Sequence, residues 1–148
     1  MLDDLYNRRI LELAAHIPRL GRLTAPHGTA TLRSKLCGST VTVDLAVADG
    51  VVSDFAHDVK ACALGQATSS VMARHVVGST PDELRALRSA MHAMLEESGP
   101  APDGRWGDLA VMEPVRAYKA RHASALLTFD AVCEALERAG AGAEAAAE

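Results

Sequence analysis

The stretch of sequence that decides the fold is residues 36–72, LCGSTVTVDLAVADGVVSDFAHDVKACALGQATSSVM. From Thr40 to Val47, apolar residues alternate with polar or small ones, which is the period of a strand with one covered face. Asp49-Gly50 is a hairpin-turn signal, so Val51–Val59 is predicted to return as an antiparallel strand. A helical period begins at Cys62. The stretch therefore predicts a β-hairpin that leads into a helix.

The rest of the chain is predicted to be mainly helical, with one weaker strand over Ala30–Leu36. Three–four apolar spacing and end signals predict helices over about Leu2–Ala15, Cys62–Gly78, Thr80–Glu97 and His122–Arg138. Ser98–Gly107 is rich in glycine and proline and is predicted to be a loop. The predicted fold class is α+β, with a small three-stranded antiparallel sheet covered by helices. Residues 1–138 are predicted to form a single domain, and residues 139–148 a disordered Ala/Gly/Glu tail.

Composition narrows the classes of function. A chain of 148 residues suits one domain with a real core. The formal net charge of −4 gives no electrostatic reason to expect nucleic acid or an anionic membrane as partner. The sequence lacks both a long apolar span and a signal-peptide start, so a cytoplasmic location is expected. Three cysteines cannot all pair within one chain, and we interpret them as thiols.

Two cysteines bracket the predicted hairpin. Cys37 precedes Gly38 in the turn before the first hairpin strand, and Cys62 lies at the predicted start of a helix. Unpaired N–H groups and the helix dipole favour a thiolate at such a start. Thiolates are the ligands that soft metals and iron–sulfur clusters select. The pair is therefore a candidate metal site; the alternative is that both are small buried apolar residues, which is the commoner role of a free cysteine.

Other candidate ligands carry weaker signals. His57 lies on the strand that leads to Cys62, and His122 begins the last predicted helix. Either can act as a neutral imidazole ligand, although a lone histidine more often has a structural role. Cys133 lies within the apolar face of the last helix and is predicted to belong to the core.

Several segments, taken in order, resemble the U-type iron–sulfur cluster assembly scaffold family, which includes IscU-like proteins and the NifU N-terminal domain. The resemblance rests on Tyr6 with Ile10-Leu11, Pro18–Gly21, Leu36-Cys37-Gly38-Ser39, Asp49–Asp54, Ala61–Ser70, and Val115-Arg116 with Ala120–Leu127. It covers nearly the whole chain to about Leu136. The hairpin together with the helix that follows Cys62 is its most specific part. The resemblance implies the same small α+β fold.

The resemblance also implies a ligand set. Members of the family assemble a labile [2Fe–2S] cluster, or hold zinc, on three cysteines and an aspartate. Cys37 and Cys62 match the first two cysteines, whereas Ser39 stands at the aspartate position and Ser124 at the third cysteine position. The candidate ligands of a cluster, iron or zinc are therefore Cys37 and Cys62, with Ser39, Ser124, His57 and His122 as further candidates.

Two neighbouring positions also depart from the family pattern. Gly65 replaces the serine that the family usually carries three residues after its second cysteine, and Ala61 replaces the glycine before that cysteine.

The resulting hypothesis is a scaffold-like protein of iron–sulfur cluster assembly or transfer, and not an enzyme. The implied partners are a cysteine desulfurase or other iron–sulfur maturation proteins. The main alternative is a binding or regulatory module that keeps the fold but no longer assembles a cluster, because two ligand positions are serine. An enzyme using a Cys62–histidine pair is a third possibility, which rests only on the position of Cys62.

Overall fold

The protein is described by a computed structural model that covers residues 7–35 and 38–147. The elements in chain order are α1 (Arg8–Ala15), β1 (Gly28–Arg33), β2 (Thr40–Ala48), β3 (Val51–Lys60), α2 (Ala63–His75), α3 (Pro81–Glu96), a 3-10 helix (Gly104–Ala117) and α4 (Lys119–Ala147). The predicted start of the first helix, over Leu2–Tyr6, lies outside the described residues, and so do Leu36 and Cys37.

The hairpin predicted from residues 40–59 is present. β2 and β3 pair antiparallel from Thr40↔Lys60 to Ala48↔Val51, with a bulge between Ala46 and Val47. Asp49 and Gly50 both have positive φ, 56° and 80°, as a tight two-residue hairpin turn requires. The turn is therefore encoded locally, by a residue pair that tolerates the left-handed region.

β1 completes an antiparallel sheet in the order β1–β2–β3, which confirms the predicted fold class. The strand begins at Gly28, earlier than the predicted Ala30. A Cβ built at Gly28 would collide with the carbonyl oxygen of Ala135, so only glycine lets α4 approach the sheet this closely. Helices α2 and α4 pack on the sheet and on each other, and the core lies between these layers.

The carboxylate of Asp44 is buried on the other face of the sheet, although the alternation of residues along β2 predicted that this face is exposed. Asp44 is fully buried and accepts hydrogen bonds from Arg22 Nε (2.6 Å), Thr29 Oγ1 (2.6 Å) and the Leu23 N–H (3.0 Å). Burial raises the pKa of Asp44, but these hydrogen bonds outweigh burial, so the pKa lies below its usual value. These hydrogen bonds hold Arg22 and Leu23, in the segment before β1, against β2.

Helix ends follow the sequence signals to different degrees. Thr80 and Glu83 form the predicted capping box at the start of α3, with Pro81 in the first turn. Helix α2 ends at His75 with Val76 as its cap, so Gly78 lies in the following turn and is not the cap that the sequence predicted.

The C-terminal third differs most from expectation. The loop predicted to Gly107 gives way to the 3-10 helix at Gly104, whose Trp106 packs into the core. Helix α4 begins at Lys119, three residues before the predicted start, and continues to Ala147 through the segment predicted to be a disordered tail. Ala139 is buried, so the core extends beyond the predicted limit at residue 138. No helix in the described part of the chain is long and apolar enough to cross a membrane.

Candidate functional site

Three side chains from separate parts of the chain meet at one place. Cys62 Sγ lies 3.0 Å from Ser124 Oγ, and Ser124 Oγ lies 3.2 Å from Ser39 Oγ. Ser39 and Ser124 are buried, and Cys62 is partly exposed. These are three of the four positions that the family resemblance assigns to ligands, so the structure brings three candidate positions together, while their role as ligands stays a prediction.

Each of the three side chains is placed by a local feature of the chain. Ser39 ends the tight β1–β2 connection, in which the Ser34 N–H donates to the Ser39 carbonyl at 2.8 Å. Cys62 is the N-cap residue of α2, with φ −68° and ψ 172°, and its side chain makes no capping hydrogen bond. Its sulfur is therefore directed to Ser124, near the start of α4, and not to the first N–H groups of α2.

The hydrogen bonds between these groups have a chemical direction when the sulfur is ionised. A thiolate accepts hydrogen bonds but donates none, so Ser124 O–H must then donate to Cys62 Sγ. The Ser124 oxygen is left to accept the hydrogen bond of Ser39. Two neutral hydroxyls thus support one sulfur. The same oxygens are available to a bound metal only if they leave these hydrogen bonds.

Gly65 forms the wall of the site on α2. A Cβ at this position would lie 2.8 Å from Ala61 Cβ, 2.9 Å from Ser124 Oγ and 3.1 Å from the Ser124 carbonyl oxygen. The two departures from the family pattern at Ala61 and Gly65 are therefore linked. The Cβ of Ala61 and the backbone and side chain of Ser124 together leave residue 65 no room for a side chain. The sequence showed both departures, but only the structure shows that the two positions lie against each other.

The structure does not bring the two candidate histidines to this site through any hydrogen bond between described residues. His57 is fully buried; its Nε2 contacts the Pro18 carbonyl at 2.8 Å, and its Nδ1 has no partner among the described residues. Burial lowers the pKa of His57, so the ring is neutral. Its observed role is to hold the segment between α1 and β1 on the edge of β3, where Gly21 N–H donates to the His57 carbonyl.

His122 lies on another side of α4 from Ser124. The two residues are two positions apart on one helix, a rotation of about 200°. His122 Nε2 donates to the carbonyls of Val115 and Arg116, at 2.9 and 3.1 Å. The ring therefore closes the junction between the 3-10 helix and α4.

Of the two remaining cysteines, the structure describes only Cys133. Cys37 lies outside the described residues, so its distance to Cys62 stays a matter of prediction. Cys133 is partly buried on α4, where burial raises the pKa of its thiol, and its sulfur contacts the Leu84 carbonyl at 3.7 Å. It packs against α3, close to the core position that the sequence predicted.

The donor set of the described site fits a metal or cluster only in part. One thiol and two hydroxyls are present, and a neutral hydroxyl is a weaker donor than the thiolates that usually hold cluster irons. Within the described residues, no group of three or more histidine, cysteine, aspartate or glutamate side chains is arranged to hold a metal ion. A second thiolate, at Cys37, is what a site for a soft metal would need.

Fold and site together define a small α+β protein with a thiol–hydroxyl site between the sheet and the starts of two helices. The model of the NifU-like N terminal domain family matches residues 5–125. The chain belongs to this family, which confirms the resemblance drawn from the sequence.

Known proteins similar to the chain agree with this assignment. A NifU-like protein (N-terminal) from Brucella abortus has a crystal structure with 63% sequence identity and a TM-score of 0.92, over 94% of this chain and 96% of that one. The iron–sulfur cluster assembly scaffold protein IscU of Thermotoga maritima is 25% identical over 90% of this chain and 94% of its own length. A putative SUF-system scaffold protein from Fervidobacterium islandicum shares the fold at 20% identity, with a TM-score of 0.83 over 90% and 98% of the two chains.

Proposed function

We propose that this protein is a scaffold on which an iron–sulfur cluster is assembled and from which it is passed on. The observation that carries the proposal is the convergence of Ser39, Cys62 and Ser124, at 3.0 and 3.2 Å, in a member of the NifU-like N terminal domain family. A scaffold must release what it assembles. A site in which hydroxyls stand beside thiolates suits release, because hydroxyls hold iron more weakly.

In this proposal the thiolates of Cys62 and Cys37 bind the cluster, which is the cargo of the protein and not a resident cofactor. Ser124 acts first as a hydrogen-bond donor to the Cys62 thiolate, and Ser39 donates in turn to the Ser124 oxygen. His57 and His122 are weaker candidates, since the Nε2 atom of each contacts a backbone carbonyl. If the protein is purified without a cluster, the same two thiolates are expected to bind zinc.

The partners belong to the same proposal. A scaffold needs a source of sulfur and an acceptor, so a cysteine desulfurase and an apo iron–sulfur protein are expected on either side of it. Free thiols as ligands suit a reducing compartment, and a cytoplasmic location is proposed on that ground. The proposed role is binding and transfer, not catalysis.

Anaerobic reconstitution with ferrous iron and sulfide tests the proposal. The wild type should gain visible cluster absorbance and bound acid-labile sulfide. It should then transfer the cluster to an apo-ferredoxin. Cys62→Ala and Cys37→Ala should each abolish this gain. Cys133→Ala is the matched control, because it removes a thiol remote from the site, and it should behave like the wild type.

The alternative of a module that has lost cluster assembly makes the opposite prediction. The family and the relatives do not favour it. It would nevertheless replace the proposal if the wild type and Cys62→Ala gave the same lack of absorbance and of bound sulfide, with both proteins fully folded.

A further inference from the structure

A groove separate from the thiol–hydroxyl site lies between the second half of α3, the first half of α4 and the end of β1. Its volume is about 900 Å³. The floor is apolar and is made by Leu32, Leu95, Leu126 and Leu127. The last three of these leucines are at most 5% exposed, so the floor is well packed.

The rim of the groove carries unpaired positive charge. Arg33, Lys35 and Lys119 are exposed, and their side chains make no hydrogen bond or ion pair with any residue that the structure describes. The chain as a whole has a net charge of −4. All three cations are exposed and none is buried, so they suit an extended acidic surface better than a single enclosed small anion.

The acidic groups of the groove are already matched. His92 contacts Glu96 at 2.7 Å and Asp130 at 2.8 Å, and Arg88 donates to Asp130 at 2.7 Å. The groove therefore keeps an excess of positive charge above an apolar floor.

The groove also borders the connection that leads to the thiol–hydroxyl site. Ser34 and Lys35 line it, and Ser34 is hydrogen-bonded through its backbone to Ser39. A Cβ at Gly38 would lie 3.8 Å from a guanidinium nitrogen of Arg33. A molecule in the groove would thus contact Ser34 and Lys35, and Ser34 is hydrogen-bonded to Ser39.

We propose that this groove is a docking surface for an acidic amphipathic helix of a partner protein. Leucine-like side chains at three–four spacing would lie on the floor, and flanking carboxylates would face Arg33, Lys35 and Lys119. The proposal concerns recognition by the metal-free protein, so it does not depend on the cluster and can fail while cluster assembly holds.

The test is fluorescence anisotropy with a labelled helical peptide that carries leucines at positions i, i+4 and i+7 and glutamates on either side. A second peptide with lysine for each glutamate is the matched probe. The glutamate peptide should bind the full-length apo protein saturably and more weakly at high salt. The lysine peptide should bind at least about tenfold more weakly, a factor that corresponds to about 1.4 kcal/mol.

Variants of the protein separate docking from general charge attraction. Arg33→Glu/Lys35→Glu/Lys119→Glu should lose at least about tenfold in affinity for the glutamate peptide. Arg8→Glu, an exposed cation on α1 outside the groove, should change it less than about twofold. All three rim residues are exposed, so the triple variant should fold, which thermal unfolding checks.

Three results would overturn the proposal. One is the absence of saturable binding of the glutamate peptide, and another is equal binding of the two peptides. The third is a concentration-dependent dimer in sedimentation velocity that the triple variant abolishes, which would assign the groove to a second copy of the chain.

Discussion

The packing around Gly65 leads to a prediction opposite to helix propensity. At an open helical position, Gly→Ala should stabilise the protein by about 1 kcal/mol. At Gly65 the new Cβ would meet Ala61 Cβ at 2.8 Å and the Ser124 carbonyl at 3.1 Å. Overpacking of this kind costs about 1–3 kcal/mol. The net expectation for Gly65→Ala is therefore a loss of about 1 kcal/mol, or a fall in Tm of about 2–4 °C.

The contact with Ala61 can be isolated by a double-mutant cycle. Removing its Cβ in Ala61→Gly/Gly65→Ala should recover part of the loss, because the contacts with Ser124 remain, with a coupling free energy of about 1 kcal/mol. Gly140→Ala is the matched control, because Gly140 lies in α4 and its added Cβ would meet no atom of the described residues within 4 Å. Urea unfolding followed by circular dichroism measures Gly65→Ala, Ala61→Gly, the double variant and Gly140→Ala. Stabilisation by Gly65→Ala, or a coupling free energy below about 0.3 kcal/mol, would refute the packing argument.

Three further predictions concern Ser124, Asp44 and His92. Ser124→Cys adds a sulfur donor 3.0 Å from Cys62 in place of a hydroxyl, so a reconstituted cluster should decay severalfold more slowly in absorbance; unchanged decay would place Ser124 outside the ligand set. Asp44→Asn should cost about 2–3 kcal/mol in urea unfolding at neutral pH. Because the folded pKa of Asp44 is lowered, that difference should shrink only as the pH falls below about 4, and a difference that does not vary with pH would contradict the assigned hydrogen bonds. Burial lowers the pKa of His92, but the hydrogen bonds and charges of Asp130 and Glu96 outweigh burial, so the folded pKa is raised. His92→Gln should therefore remove up to about 1 kcal/mol of stability below pH about 6.5, and this loss should disappear as the pH rises through the folded pKa. A larger loss at alkaline pH would contradict the raised pKa.

Most of the fold was predicted from sequence signals that involve neighbouring residues. The Asp49-Gly50 turn, the alternation of β2 and the capping box at Thr80 each depend on residues close in sequence, and each appears in the structure. The end of α4 was missed because the alanine-rich segment has little to bury, whereas alanine itself strongly favours helix.

Long-range partners could not be read from the sequence. Asp44 looked exposed because its strand alternates, yet Arg22 and Thr29 cover it. His57 looked like a possible ligand because it precedes Cys62, yet it contacts Pro18. Composition also hid the basic groove, since its cations are dispersed in a chain of net negative charge.

The resemblance to the family named Ser39, Cys62 and Ser124 as candidate positions, and the structure places Ser124 within hydrogen-bond distance of both others. Their role as ligands stays a prediction. The contact between Gly65 and Ser124 depends on the approach of α2 to α4, which no local pattern encodes.

The central claim, that iron and sulfide assemble on the Cys62 thiolate, is tested most directly by iron-edge X-ray absorption of the anaerobically reconstituted protein. The wild type should show sulfur ligands and a short iron–iron distance, and Cys62→Ala should lose both while Cys133→Ala keeps them. Iron coordinated only by oxygen or nitrogen in the wild type, or identical spectra for the wild type and Cys62→Ala, would contradict it.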